Sequence, residues 1–391
     1  MKILHLCLSC FYVDGYSYQE NMLPYFHRIM GYDVDVIASL MTFSSNGEYI
    51  YDTETADYVN KQGVHIVKLA NKKPKRIGRL LRTYVGTYEA IEASNPDIIF
   101  MHGVQFWDSN VVRKYMKAHP AVRLYADNHS DFSNSATNWI SKNIQHKILW
   151  RYCIHRLDPF VIKYWGVLPA RVDFLINMYH LPKEKVDLLV MGADDGLVKK
   201  AEDPRVRKEI REEYGFEPDD FVIVNGGKID QWKKQTLQLM DAVNRMDDPK
   251  VKLLVFGSVT PELKDEVNER CSDKVKYIGW VQSEDSYALF AAGDIACFPG
   301  RHSVFWEQVA GQGIPMICKR WEGTTHVDCG GNVLFLDTDG VDRITDAIST
   351  IRNDTDVYRK MKGIAENVAK RVFSYTDISA RAIEAQNQNN V

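Results

Sequence analysis

DIACFPGRHSVFWEQVAGQGIPMICK, residues 294–319, carries the pattern on which the fold turns. The apolar run from Asp294 to Phe298 is closed by Pro299 and Gly300, which predicts a short buried strand. A polar loop follows, then a helix opening near Val304, a glycine stop, and a second strand at 315–319. Strand, helix and strand at this spacing form the repeating unit of a parallel sheet. Glu307 falls in the first turn of that helix, where unpaired N–H groups and the helix dipole favour negative charge. Amides at such a place hold a phosphate, and a carboxylate accepts from the two hydroxyls of a sugar diol. Taken alone, Glu307 is more simply a charge capping a surface helix, so the rest of the chain has to decide.

With 391 residues the chain is long enough for two domains, each with its own core. Its 45 % hydrophobic and 26 % charged residues and net charge of −3 are those of a water-soluble globular protein. No apolar run reaches the ~18 residues that span a bilayer. The opening MKILHLCLSC reads as a first strand, because no small-residue cleavage site follows it. Seven cysteines, odd in number and scattered, fit buried thiols in a reducing cytoplasm. Cys7 and Cys10 form a C-x-x-C, but no second Cys/His pair completes a zinc site.

Strand-like runs alternate with helical patterns throughout. In the first half they lie at 2–8, 33–39, 63–69, 97–103 and 122–128, with a switch at 186–198. The second half restarts at 221–227 and continues at 251–257, 275–280, 294–300, 315–319 and 332–337. The pattern predicts an α/β protein of two doubly wound, Rossmann-like domains facing across a cleft. The expected bounds are 1–195 and 196–370, with a tail at 371–391 packing back on the N-terminal domain. Ligands of such sheets sit outside the carboxyl ends of the strands.

NGGKIDQWKK (225–234) follows a strand and opens a helix. Gly226 and Gly227 allow close backbone approach, and Lys228, Lys233 and Lys234 concentrate positive charge where a diphosphate would lie. The loop is not a P-loop, since G-x-x-x-x-G-K-[ST] is absent.

Here the chain resembles the family 4 glycosyltransferases, retaining, nucleotide-sugar-dependent enzymes of the GT-B fold. NGGKIDQWKKQTLQLMDAV is similar to the family's strand, G-R-L, K-G and helix, with Lys228 at the arginine position and Lys233 or Lys234 as the family lysine. VKYIGWVQSEDSYALFAAGDIACFPG and WEQVAGQGIPMICKRWEGTTHV continue the likeness. The resemblance makes Glu307 the second glutamate of an E-x7-E pattern, binding the ribose hydroxyls. Pro299 stands where the first glutamate is expected, in a loop about four residues shorter than usual, with His302 and Ser303 in the vacated space. Ser303 and the amides of Val304 and Phe305 are then placed to face a phosphate.

In the first half, MKILHL and DGYSYQENMLPYFHRIMGYDVDVIA are similar to the family's first strand, glycine loop and second strand. The usual double glycine is reduced to Gly15-Tyr16. YADNHSD places His129 where the family often carries an active-site histidine, which the resemblance implies hydrogen-bonds the donor sugar. His102 and Asp131 are acceptor-side candidates. Asp337-Thr338-Asp339 and Asp33-Val34-Asp35 spell the D-x-D of metal-binding transferases, but a turn and a strand hold them, and both read as structural.

Residues 66–88 carry seven Lys/Arg and no acid. Ile77, Leu80, Leu81 and Tyr84 recur at helical spacing beside Arg76, Arg79 and Arg82. A basic amphipathic helix of this kind suits an anionic membrane surface, at ~1 kcal/mol per basic residue. No stacking motif points to nucleic acid. The expectation is a cytoplasmic, peripherally membrane-associated transferase. It moves a sugar from a nucleotide diphosphate sugar, UDP-linked by preference, to a glycan or lipid-linked acceptor, with neither metal nor cofactor. His129, Lys228 and Glu307 are its expected catalytic residues. A nucleotide-sugar epimerase of the same fold and a catalytically inactive glycan- or partner-binding relative are the competing readings.

Overall fold

Among the described residues, eight strands hydrogen-bond into one sheet and six into another. The computed structural model describes residues 1–43 and 49–384. The chain divides into a first unit, Met1–Val190 with Ile378–Val391, and a second unit, Met191–Asp377.

The second unit's sheet is all parallel. Its spatial order is Val275–Tyr277, Val251–Phe256, Phe221–Gly226, Ile295–Phe298, Met316–Lys319 and Val333–Leu336. In chain order this is 3-2-1-4-5-6, so the winding reverses between Phe221–Gly226 and Ile295–Phe298. Both of those strands are buried along their whole length, as the apolar runs require of a sheet covered on two faces. Helix Gln235–Arg245 buries Leu239, Met240 and Val243 in the unit's core. Gly226 is small of necessity, because a Cβ there would lie 2.3 Å from the Phe256 ring. At the amino end of the sheet, Asp294 pairs with Arg207 (2.7 Å) and Arg211 (2.8 Å) of helix Pro204–Glu213. Asp203 caps that helix by accepting from the amide of Arg205, with Pro204 at its first position.

The first unit's sheet runs Val186–Leu188, Val161–Gly166, Arg123–Asn128, Ile98–Met101, Lys2–Cys7, Asp33–Ser39, His65–Leu69 and Ala56–Val59. Only the last of these is antiparallel to its neighbour. Its reversal of winding lies between Lys2–Cys7 and Ile98–Met101. The sheet's sides are unlike: Leu4 and Leu6 join the main core, while Cys7 joins a smaller cluster with Val34 and Val36.

Several expectations change. The boundary falls at 190/191 rather than 195/196, because Ala193 bridges to Ser374 and exchanges backbone bonds with Phe373 and Tyr375. The second unit ends at Asp377 rather than 370. The expected strand at 186–198 is only Val186–Leu188, followed by a helix Asp195–Ala201 capped by Asp194. Strands Val161–Gly166 and Ala56–Val59 add to the expected set; a short apolar run is ambiguous between strand and buried helix. Residues 66–88 are not one helix. The helix there is only Lys75–Leu81, opened by Pro74 and closed by Arg82 at φ 53°, and a separate helix, Thr87–Ser94, begins at the end of the stretch. Tyr84 turns inward and donates its hydroxyl to the Leu8 carbonyl. The QNQNN run near the C-terminus lies outside the described residues.

Candidate functional site

At the winding reversal of the second unit, two loops leave the carboxyl ends of adjacent strands, which is where such sheets bind ligands. The first begins at Gly227, whose φ of 133° favours glycine, and carries Lys228 and Lys233. The second, 299–304, carries Arg301, His302 and Ser303. Lys228, Lys233, Arg301, Ser303, Gly227 and Thr236 line a small cavity of about 20 Å³. Burial lowers the pKa of Lys233, with Asp230 opposing and Lys228 reinforcing the shift. Lys234 is exposed and precedes the next helix, outside this lining. Arg301, which the sequence reading did not single out, also stacks over Trp232 at 4.4 Å. Its neighbourhood depends on packing between two loops about seventy residues apart.

Val304 precedes the helix Phe305–Gly311, and Phe305 packs edge-on to Phe256 and Phe290. The phosphate-facing role expected of this turn meets a competitor in the Phe305 amide's weak 3.5 Å contact to Ser303 Oγ. Glu307 is fully buried. Its Oε1 receives Nε2 of His302 at 2.7 Å and Nε2 of His326 at 2.9 Å. Burial raises its pKa, but the two imidazoles outweigh that and hold it below the ordinary carboxylate range. Oε2 of Glu307 and Nδ1 of His326 are buried and have no hydrogen-bond partner among the described residues. Two imidazoles and a carboxylate are metal-ligand types, yet two ligands of one tetrahedral ion stand about 3.3 Å apart. The shorter spacing here is that of shared protons. His326 lay unmarked in the sequence, nineteen residues beyond Glu307.

A larger hollow of this unit, about 520 Å³, lies elsewhere, against Asp294 and Pro315 at the amino ends of the strands. The fold places ligands at the opposite end. The two D-x-D pairs are engaged in ion pairs: Asp339 with Lys319, Asp337 with Arg320, and Asp33 and Asp35 with Lys2.

In the first unit the strand register brings a buried row of imidazoles across the winding reversal. The Ser379 carbonyl accepts from His27 Nε2 at 2.8 Å. His27 Nδ1 meets His5 Nε2 at 3.0 Å, and His5 Nδ1 meets His102 Nε2 at 3.0 Å. His102 Nδ1 meets Asp127 Oδ2 at 2.8 Å. Both ends of the row only accept, so four hydrogen bonds need four protons, while three neutral imidazoles supply three. With Asp127 ionised, a fully bonded row therefore needs one proton more than three neutral imidazoles carry. Burial raises the pKa of Asp127, but His129 and His102 together pull it below the ordinary range. Burial drives the pKa of His5 well down and that of His27 to about 4, which favours the neutral form of both.

His129 is partly exposed, and its Nε2 lies 3.2 Å from Asp127 Oδ1. Burial lowers its pKa; Asp127, with Glu20 behind it, more than offsets this and leaves it raised. His102, expected to face an acceptor, is fully buried with both nitrogens engaged, so direct acceptor contact is closed to it. Asp131 closes a turn: its Oδ1 accepts from Ser133 and Asn134, and Oδ2 lies 3.5 Å from Arg171. Gly15 has φ 82°, and Tyr16 beside it is exposed, stacking on Phe43. His5, His27 and Asp127 escaped the sequence reading because single polar residues inside strands and helices carry no periodic signal.

No family model matches the chain. Mannosylfructose-phosphate synthase of Agrobacterium fabrum is 24 % identical over 260 residues, 62 % of this chain and 55 % of that protein. The chain thus matches little more than half of that relative's length. HepE of Anabaena, solved in complex with UDP, superposes with a TM-score of 0.67 at 17 % identity, covering 97 % of this chain and 98 % of its own. It has also been solved with UDP and glucose. UDP-GlcNAc 2-epimerase of Neisseria meningitidis, bound to UDP-GlcNAc, superposes with a TM-score of 0.61 at 12 % identity, covering 98 % and 99 %. With two Rossmann-like sheets and neighbours of this kind, the chain has the GT-B fold.

Proposed function

We propose that the protein is a glycosyltransferase that moves a sugar from a UDP-sugar to a glycan or lipid-linked acceptor, with retention at the anomeric carbon. One observation carries the reading. Lys228, Lys233 and Arg301 converge beside Ser303 at the winding reversal of the second unit, where a phosphate chain would sit. The likeness to HepE, solved with UDP and glucose, and to mannosylfructose-phosphate synthase supports it. Retention, and membership of family 4, rest on the sequence resemblance.

Three cations around one cavity neutralise the diphosphate as the glycosidic bond breaks, in place of a divalent metal. Ser303 donates to a phosphate oxygen. Glu307 offers Oε2 to a ribose hydroxyl, while His302 and His326 hold Oε1 and fix the carboxylate. His129 hydrogen-bonds a substrate sugar, oriented by Asp127. The acceptor reaches the enzyme at the cytoplasmic face of a membrane; no helix among the described residues is long and apolar enough to cross one.

The test is a thermal-shift panel of UDP, GDP, dTDP and CMP on wild type and Lys228→Ala, followed by turnover with and without EDTA. Stabilisation by UDP alone, lost in the variant, supports the donor site. No shift with any nucleotide sinks it. The likeness to an epimerase favours a second reading, in which free donor is isomerised without an acceptor. NMR of UDP-sugar incubated with enzyme alone separates the two.

A further inference from the structure

Residues 132–157 of the first unit contain no acid and four Lys/Arg, in a chain whose net charge is negative. Their helix, Ser141–Trp150 continuing as Arg151–Leu157, buries Trp150, Cys153, Ile154 and Leu157 in the core. The opposite face should be polar on a water-facing helix. Instead Ile140, Ile144, Ile148 and Tyr152, spaced four apart, are exposed, Ile140 and Ile148 at 64 % each. Trp139, just ahead of them, is 69 % exposed.

The stripe does not end with this helix. Trp107 stacks on Tyr152 at 6.3 Å, and its amide donates to the Leu81 carbonyl at 2.9 Å. Leu81 closes the basic helix Lys75–Leu81, where Ile77 and Leu80 are also exposed, Leu80 at 65 %. Around these apolar groups stand Lys73, Lys75, Arg76, Lys142 and Lys147, all exposed. Two acid-free segments, distant in sequence, thus meet on one surface.

Monomers rarely expose a contiguous apolar patch of this kind. Isoleucine and tryptophan ringed by Lys and Arg, with no acid among them, match a bilayer surface: rings and aliphatic chains enter the headgroup boundary while cations meet phosphates. We propose that this face seats the protein on an anionic lipid surface, with Trp139, Ile140 and Ile148 entering the headgroup layer. Charge complementarity selects the occupant, since a neutral apolar partner would leave the basic rim unmatched. The docking itself stands apart from the proposed activity. Only the consequence that a lipid-linked acceptor is met there rests on that activity.

The experiment is flotation of the purified full chain with phosphatidylcholine vesicles, with and without 30 mol % phosphatidylglycerol (roughly the anionic content at which basic segments bind). Wild type is expected to float with the anionic vesicles and to be released by high salt. Trp139→Ser/Ile148→Ser and Lys142→Glu/Lys147→Glu are each expected to bind at least roughly tenfold more weakly. Wild type remaining with the soluble fraction, or variants floating like wild type, overturns the proposal. So does a concentration-dependent dimer in light scattering that both variants abolish, which would assign the face to a second copy. All the altered residues are exposed, and the UDP-induced thermal shift, read in parallel, reports on the donor reading separately.

Discussion

Nδ1 of His102 lies 2.8 Å from Oδ2 of Asp127, with neither side chain exposed to solvent. This contact anchors the charged end of the imidazole row, and it makes a prediction about protons. If all four contacts of the row are hydrogen bonds, ring ¹⁵N shifts at pH 8 should show one imidazolium among His5, His27 and His102. In Asp127→Asn that signal should vanish, because a neutral amide no longer balances the charge. Three neutral imidazoles in the wild type would contradict the proton count.

Acid should weaken the fold through its buried neutral histidines. Burial brings His27 and His146 down to about 4. In the unfolded chain both titrate near ~6.5, so between about pH 6.5 and 4 the unfolded state binds protons that the folded state refuses. The stabilisation is complete above that window and is lost as pH falls through it, by up to roughly 3 kcal/mol per group. Urea unfolding at pH 7.5, 6 and 5 should show the loss, and His146→Gln should flatten the slope. A denaturation midpoint independent of pH across this range would refute it.

The cavity lining ranks the cations. Lys228→Ala, Lys233→Ala and Arg301→Ala should each lower kcat/KM by about 10²-fold or more, as loss of one charge facing a leaving group does. Lys234→Ala, outside the lining, should stay within about threefold of wild type on the same assay. Equal losses for Lys233 and Lys234 would show that the helix start moves when substrate binds.

Glu307 joins stability to binding. Glu307→Gln removes the charge that His302 and His326 share, and breaking a buried pair of this kind costs roughly 3 kcal/mol. A lower Tm is therefore expected, together with loss of the UDP-induced shift. If the shift survives in a destabilised but folded variant, the carboxylate is structural only. Circular dichroism alongside the melt distinguishes the cases.

Most strands could be read along the chain, because apolar runs closed by Gly and Pro report burial locally. Phe221–Gly226 and Ile295–Phe298 fall within a few residues of their expected bounds. Val161–Gly166 was missed, since its run is broken by Lys163 and follows directly on a helical segment. The basic helix was overextended for the opposite reason. Its periodicity persists past Arg82, but a left-handed residue ends it and sends Tyr84 into the core.

By itself the sequence determined what depends on neighbours in the chain: alternating strands and helices, two doubly wound units, the glycine loop with its lysines, and the acid-free basic stretch. Tertiary structure alone decided which distant side chains share a proton or a cavity. His5 and His102 are 97 residues apart, and only the pairing of Lys2–Cys7 with Ile98–Met101 sets their rings 3.0 Å from each other. Arg301 reaches the cavity of Lys233, and His326 the carboxylate of Glu307, through loops whose paths no local pattern encodes. Hydrogen bonds and charge act over a few ångströms of space, and in a parallel sheet those ångströms are set by crossovers many residues long.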